Sequence, residues 1–319
     1  MNLLLAGNFD PAERDDWANA LRAALPGHRL CLARGEVPDE TIAAAIVANP
    51  PPGGLVGLTR LRLIQSLWAG VDRLLADASL PPGVPIARMV DPAMNQAMAE
   101  TALWATLALH RGFFAYGAQQ RAGRWQQRGQ RRADEVPVLV LGFGQMGRAV
   151  AQALLRQGYP VAAWRRGAAR SDEMADPALA GITRNSGAAA LAAALARAQV
   201  LVNLLPLTPD TRGLLDARLL ATLPRGAGLV NLARGAHLVD ADLLAALASG
   251  QVGHAVLDVF DAEPLTTGHP YWGHPQVTVL PHVAALTDAR SAAAAVARNI
   301  EALARGEPLQ HLVQRQAGY

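Results

Sequence analysis

Short apolar runs alternate along the chain with longer stretches whose apolar positions recur at helical spacing. That pattern predicts parallel sheets built from strand–helix units. The first part reads as strands at 2–6, 28–33, 46–48, 61–67 and 84–89, with helices at about 11–25 and 38–45. A helix over 93–114 is apolar around most of its circumference, so it is expected to be buried on several sides, as a domain spine or a dimer contact. The second part predicts strands at 136–141, 160–164, 200–204, 228–232, 254–260 and 277–280. Helices are expected at 145–157, 186–198, 217–222, 241–248 and 287–305. Thr208-Pro209 is expected to open a further short helix, and Asp240 to cap the one at 241–248.

Composition narrows this picture. A chain of 319 residues accommodates two ordinary domains, and with 51% hydrophobic and 17% charged residues it is globular rather than disordered or fibrous. All 29 basic residues are Arg, yet the formal net charge is only +3, which gives no argument for a nucleic-acid partner. The one dense basic run, RAGRWQQRGQRR at 121–132 with Trp125 inside it, is expected to be a solvated connector rather than a polyanion site. Cys31 stands alone, which excludes an internal disulfide and a Cys-rich zinc site, and no metal is expected. The opening MNLLLAGNFD has no basic segment before its apolar one, and no uncharged apolar run reaches a membrane span, so a cytoplasmic protein is expected.

Candidate chemistry lies at strand ends. The strand at 136–141 runs into Gly142-Phe143-Gly144-Gln145-Met146-Gly147, which opens a helix and precedes a second strand. In that context the first Gly permits the tight turn, the second lets the backbone approach a pyrophosphate, and the third lets helix and strand pack closely. An NAD site usually carries Asp or Glu about 20 residues on; here the second strand ends in Trp164-Arg165-Arg166, with Arg170 close by. Guanidinium groups attract a 2′-phosphate, so NADP(H) is preferred and NAD(H) remains possible.

Three later strands end near residues that hold or transfer charge: Arg234, Glu263 and His282. Carboxyl ends of parallel strands line the ligand crevice, so these three are expected to share one mouth. Arg234 has the fork geometry to pair with a carboxylate and reach a carbonyl oxygen. His282 is the candidate acid/base, and Glu263 is expected to orient its ring. The backbone N–H groups of Ala69, Gly70 and Val71 are expected to share a substrate carboxylate. The other seven His, including His237 and His254, are expected to be packing or surface residues.

LWAGVD, MAE, GFGQMG, NLLPLTPDT, NLARGAHLVDADLLAAL, LDVFDAEPL, LPHVAALT and the terminal GY fall in one order over nearly the whole chain. Together they resemble the D-2-hydroxyacid dehydrogenase family, in its glyoxylate/hydroxypyruvate reductase A branch. The resemblance implies two Rossmann-like doubly wound α/β domains with a cleft between them. A substrate-binding domain would comprise 1–99 plus 283–319, and an NAD(P)-binding domain 100–282. It also implies reduction of a small 2-oxo acid, and a homodimer through the helix at 93–114. Leu205, Pro206, Thr211, Ala233 and Asp258 would join the cofactor site, with His282. Two departures stand out: Ala48, where close relatives tend to carry a bulky aromatic, and Arg165 in addition to Arg166. An NAD-dependent dehydrogenase of a larger or phosphorylated hydroxy acid, and a dinucleotide-sensing corepressor-like protein, remain the alternatives.

Overall fold

The computed structural model describes residues 1–167 and 176–318. They form two compact units, Met1–Met94 with Thr287–Tyr319, and Asn95–Leu286. The division falls at 94/95 and 286/287, where the sequence led us to expect 99/100 and 282/283. Among the described residues no helix is long and apolar enough to cross a membrane.

The first unit holds a parallel sheet of β1 (Asn2–Gly7), β2 (Arg29–Cys31), β3 (Ile42–Ala48), β4 (Leu63–Ser66) and β5 (Ile86–Ala87), in the order β2-β1-β3-β4-β5. Helix α1 (Pro11–Ala24) starts where Asp10 accepts the Glu13 N–H at 2.9 Å and Pro11 sets the first turn. It buries Trp17, Ala18 and Leu21, and packs beside α9 (Ala289–Arg305), which returns to this unit from beyond the second one. The helix expected at 38–45 is not there. A single 3-10 turn at Asp39–Thr41 leads directly into β3, which pairs with β1 on one side and β4 on the other. Ala44 and Ala45 are wholly buried. An alanine run has helical propensity, but the centre of a parallel sheet takes small apolar residues on both faces, and burial wins.

In the second unit β6 (Val138–Leu141), β7 (Val161–Arg165), β8 (Thr183–Ser186), β9 (Val200–Asn203), β10 (Ala227–Asn231), β11 (Val252–Leu257) and β12 (Val277–Val279) form one parallel sheet. Its order, β12-β11-β10-β9-β6-β7-β8, runs outward in both directions from the β6/β9 pair, as in a doubly wound dinucleotide-binding sheet. Successive side chains point to opposite faces. Val138, Val140, Val202, Val230 and Val256 enter one core with Val150 and Leu154, while Leu139, Leu141, Leu201, Leu229 and Leu257 enter the other with Leu243 and Leu247. The helices of this unit include α5 (Gln145–Arg156), α6 (Ala188–Leu195), α7 (Ala217–Thr222) and α8 (Asp240–Ala248).

Four expectations need correcting. The long helix is α3 (Pro92–Arg111), and it breaks at Gly112, whose φ of 70° is left-handed, before α4 (Phe113–Arg121). Strand β8 is the polar TRNS at the sheet's edge, a position that lacks the apolar signature of a central strand, and the helix after it is only α6. Residues 208–211 form a turn, not a helix: both the Thr211 and Arg212 N–H groups return to the Thr208 carbonyl. Asp240 is the first residue of α8 rather than its cap, and its carboxylate accepts the buried Tyr271 hydroxyl at 2.9 Å. Residues 124–132 are exposed and without regular structure, with Trp125 97% exposed.

Candidate active site

Arg234, Glu263 and His282 follow the carboxyl ends of β10, β11 and β12, neighbours in the sheet. Asp258 organises the last of these turns. It is 1% exposed, and its two carboxylate oxygens accept the N–H groups of Val283 (2.7 Å) and Ala284 (3.0 Å), while its carbonyl accepts that of His282 (2.9 Å). Burial raises its carboxyl pKa, against the lowering effect of those N–H groups and of His282. His282 sits at a φ of 56°, uncommon for a residue with a side chain. Its Nδ1 lies 2.8 Å from Glu263 Oε2, while Glu263 Oε1 accepts the Phe260 N–H at 3.0 Å. Because the carboxylate only accepts, Nδ1 carries a proton, and Nε2 is the atom left to exchange one. The ring is half-exposed.

Arg234 sits half-buried on the turn after β10, where its Nη1 donates to the Ala233 carbonyl at 2.6 Å. The next residue, Gly235, has no room for a side chain: a Cβ would fall 1.8 Å from the Phe260 carbonyl carbon. The Arg234 turn is thus pressed onto the backbone that leads to Glu263. Beneath it lies a polar network absent from our sequence reading: Asn203, Asn231 and His237, all wholly buried. Its signal was faint, a single Asn closing each of two apolar strands.

The glycine-rich turn shows what it can hold. Gly142 has a φ of 95°, and a Cβ there would meet the Leu204 carbonyl oxygen at 2.7 Å. A Cβ on Gly147 would lie 1.9 Å from the Gly142 carbonyl oxygen, so α5 reaches the strand only because the side chain is absent. At Gly144 the same atom would meet nothing within 4 Å. Open space above a helix N-terminus fits a pyrophosphate. Phe143 is buried in the core and Met146 packs partly against it, whereas Gln145 is exposed. Leu205 and Ala233 are buried, and the loop from Leu205 to Thr211 is braced by the Thr211 hydroxyl on the Pro206 carbonyl at 2.8 Å. Arg165 is half-buried at the end of β7; Arg166 is exposed and ion-paired with Asp210 on that loop. Arg170 and Tyr319 lie outside the described residues.

Ala69, Gly70 and Val71 belong to the first unit, on the turn between β4 and α2 (Asp72–Leu75). Ala48 ends β3 against Gly7 and is 2% exposed, so its small side chain is packed within that unit.

A doubly wound sheet whose first strand turns through a tight glycine loop into a helix defines a dinucleotide-binding protein. Residues 103–284 match the family model described as D-isomer specific 2-hydroxyacid dehydrogenase, NAD binding domain. The glyoxylate/hydroxypyruvate reductase A of Serratia proteamaculans is 39% identical over 326 residues, covering all of both chains. The crystal structure of a D-isomer specific 2-hydroxyacid dehydrogenase from Xanthobacter autotrophicus Py2, in complex with NADPH and MES, matches with a TM-score of 0.93 at 39% identity, over 100% of this chain and 99% of that one. The NADPH-dependent glyoxylate/hydroxypyruvate reductase of Sinorhizobium meliloti, in complex with NADP and sulfate, matches with a TM-score of 0.90 at 34% identity and the same coverage. The chain belongs to the D-isomer specific 2-hydroxyacid dehydrogenase family.

Proposed function

We propose that the protein reduces a small 2-oxo acid of the glyoxylate/hydroxypyruvate type to the D-2-hydroxy acid, with NADPH as the preferred cofactor. One observation carries the chemistry: a half-exposed imidazole bonded at 2.8 Å to a glutamate, at the carboxyl end of the sheet that also carries Arg234. Arg234 pairs with the substrate carboxylate and places positive charge near the carbonyl oxygen, where negative charge develops. The amides of Ala69, Gly70 and Val71 are donors of the kind a carboxylate takes. His282 delivers the Nε2 proton to the carbonyl oxygen as the carbonyl carbon is reduced, and regains one from solvent. Glu263 accepts the Nδ1 proton and fixes the ring's orientation, so that Nε2 is the atom that gives and takes the proton. The nicotinamide cofactor, when bound, supplies the hydride.

The turn from Gly142 to Gly147 would hold its pyrophosphate, with Leu205, Pro206, Thr211 and Ala233 along the cofactor and Asp258 near its nicotinamide amide. Arg165 and Arg166 stand where a carboxylate would otherwise select NAD, and relatives of this chain bind NADPH or NADP. We also assign a homodimer through the α3–α4 segment, which leaves Trp104 43% and Phe113 57% exposed. Sedimentation as a monomer at micromolar concentration would remove that assignment.

The test is NADPH oxidation with glyoxylate, hydroxypyruvate and a phenyl-substituted 2-oxo acid. Turnover of the first two is expected, with His282→Gln lowering kcat by about 10²–10⁴-fold while NADPH still binds. An unchanged kcat overturns the reading.

A further inference from the structure

Asn203 closes β9 and Asn231 closes β10, directly paired in the sheet. Asn203 Nδ2 donates to Asn231 Oδ1 at 3.0 Å and lies 3.0 Å from His237 Nδ1. An amide nitrogen only donates, so His237 Nδ1 accepts and its proton sits on Nε2. That Nε2–H faces the Pro206 carbonyl at 3.3 Å. The His237 backbone N–H donates to the Arg234 carbonyl at 3.3 Å, and Asn231 Nδ2 donates to the same oxygen at 3.1 Å. The remaining amide oxygen capacity takes the Leu205 and Ala233 N–H groups, each at 3.3 Å. His237 is therefore tied by its backbone to the turn carrying Arg234, and its wholly buried ring bonds Asn203 at the end of β9 and Pro206 on the loop that follows.

We propose that His237 is a positioning residue: fixed as the neutral Nε2–H tautomer, it locks the Arg234 turn and the 205–211 loop into one mutual register. The inference rests on the reading of Arg234 as the carboxylate-binding residue and of the 205–211 loop as part of the cofactor site. An imidazole that merely filled space would have no need of both ring nitrogens bonded to the segment from Asn203 to Pro206 while its backbone holds the Arg234 carbonyl. Displacing a binding group by an ångström costs a reaction about 10²-fold, so the network reaches turnover without touching substrate.

The experiment compares His237→Leu with His237→Gln in the full chain, measuring kcat and KM for glyoxylate and for NADPH, with thermal melting alongside. Gln offers an oxygen to Asn203 and an N–H to Pro206, so it can restore both bonds. His237→Leu is expected to lose about 10–100-fold in kcat/KM for the 2-oxo acid at temperatures where it is folded, and Gln to recover most of that loss. Wild-type kcat/KM in the Leu variant, with only a lower melting temperature, overturns the proposal, as does a Gln variant no better than Leu. Should the Leu variant not fold, Asn231→Ser removes one donor to the Arg234 carbonyl; a raised KM for the 2-oxo acid is expected, and an unmoved one overturns the proposal. Arg234→Ala separates the two levels. If it behaves as wild type, the reading of Arg234 fails and the proposal with it; if it collapses while His237→Leu does not, only the proposal fails.

Discussion

Asp258 has both carboxylate oxygens inside the turn that follows β12, one on each of two consecutive N–H groups. Replacing it with Asn leaves a single acceptor for those two donors, the Ala284 N–H buried and the Val283 N–H part-buried. One of them is orphaned at a cost of about 1–3 kcal/mol. The same turn carries His282, whose own N–H bonds the Asp258 carbonyl. Asp258→Asn is therefore expected to lower both the unfolding free energy and kcat, read by denaturant melts and by turnover. A variant with normal stability and normal kcat would show that the turn holds without it. The residue scale is also where the sequence was least informative. Arg234, Glu263 and His282 drew notice because each follows an apolar strand, a local feature. Asn203 and His237 are 34 residues apart and meet only because β9 and β10 are neighbours in the sheet. No local pattern marks such a pair, and His237 reads in sequence like any packing histidine.

At the scale of elements, three glycines of one turn do different work. Gly147→Ala would drive a Cβ against backbone, which neither α5 nor β6 can yield cheaply, so a loss of ~1–3 kcal/mol or more in stability is expected. Gly144→Ala meets nothing, and its melting temperature should stay close to that of the wild type. Its NADPH affinity should nonetheless fall at least about tenfold, some 1.4 kcal/mol. Fluorescence titration and thermal melting of the two variants check the contrast; equal cofactor affinity in Gly144→Ala and wild type would mean the open space is not used. Strand–helix alternation made most of the doubly wound sheet legible, because central parallel strands are uninterrupted apolar runs. Where composition and position disagreed, position prevailed: the alanine-rich β3 is a strand because two neighbours pair with it, and the polar β8 is one because it lies at an edge.

The stability of the whole molecule should depend on pH through His254. This ring on β11 stacks on Phe114 of α4 at 4.2 Å and bonds the Thr278 hydroxyl at 2.9 Å. Burial, with a smaller contribution from nearby His274, pushes its pKa down from 6.5 to about 4. Between those values the unfolded chain takes up the extra proton and the folded one does not. Stability is therefore expected to fall as pH drops from about 6.5 and to level off below about 4. Because the ring is only partly shielded, the loss is about 1–2 kcal/mol rather than the full shift. His254→Gln should flatten that slope; denaturant melts at pH 7, 5.5 and 4.5 that differ from wild type by a constant amount would refute it.

Helix α9 packs on α1 and completes the first unit, yet it is encoded after every strand of the second. During synthesis the ribosome delivers the whole seven-stranded sheet before it delivers Ala289. The five-stranded sheet must wait meanwhile with part of its apolar surface open to the cell, and for that interval the earliest-made residues of the chain are the last to be sheltered.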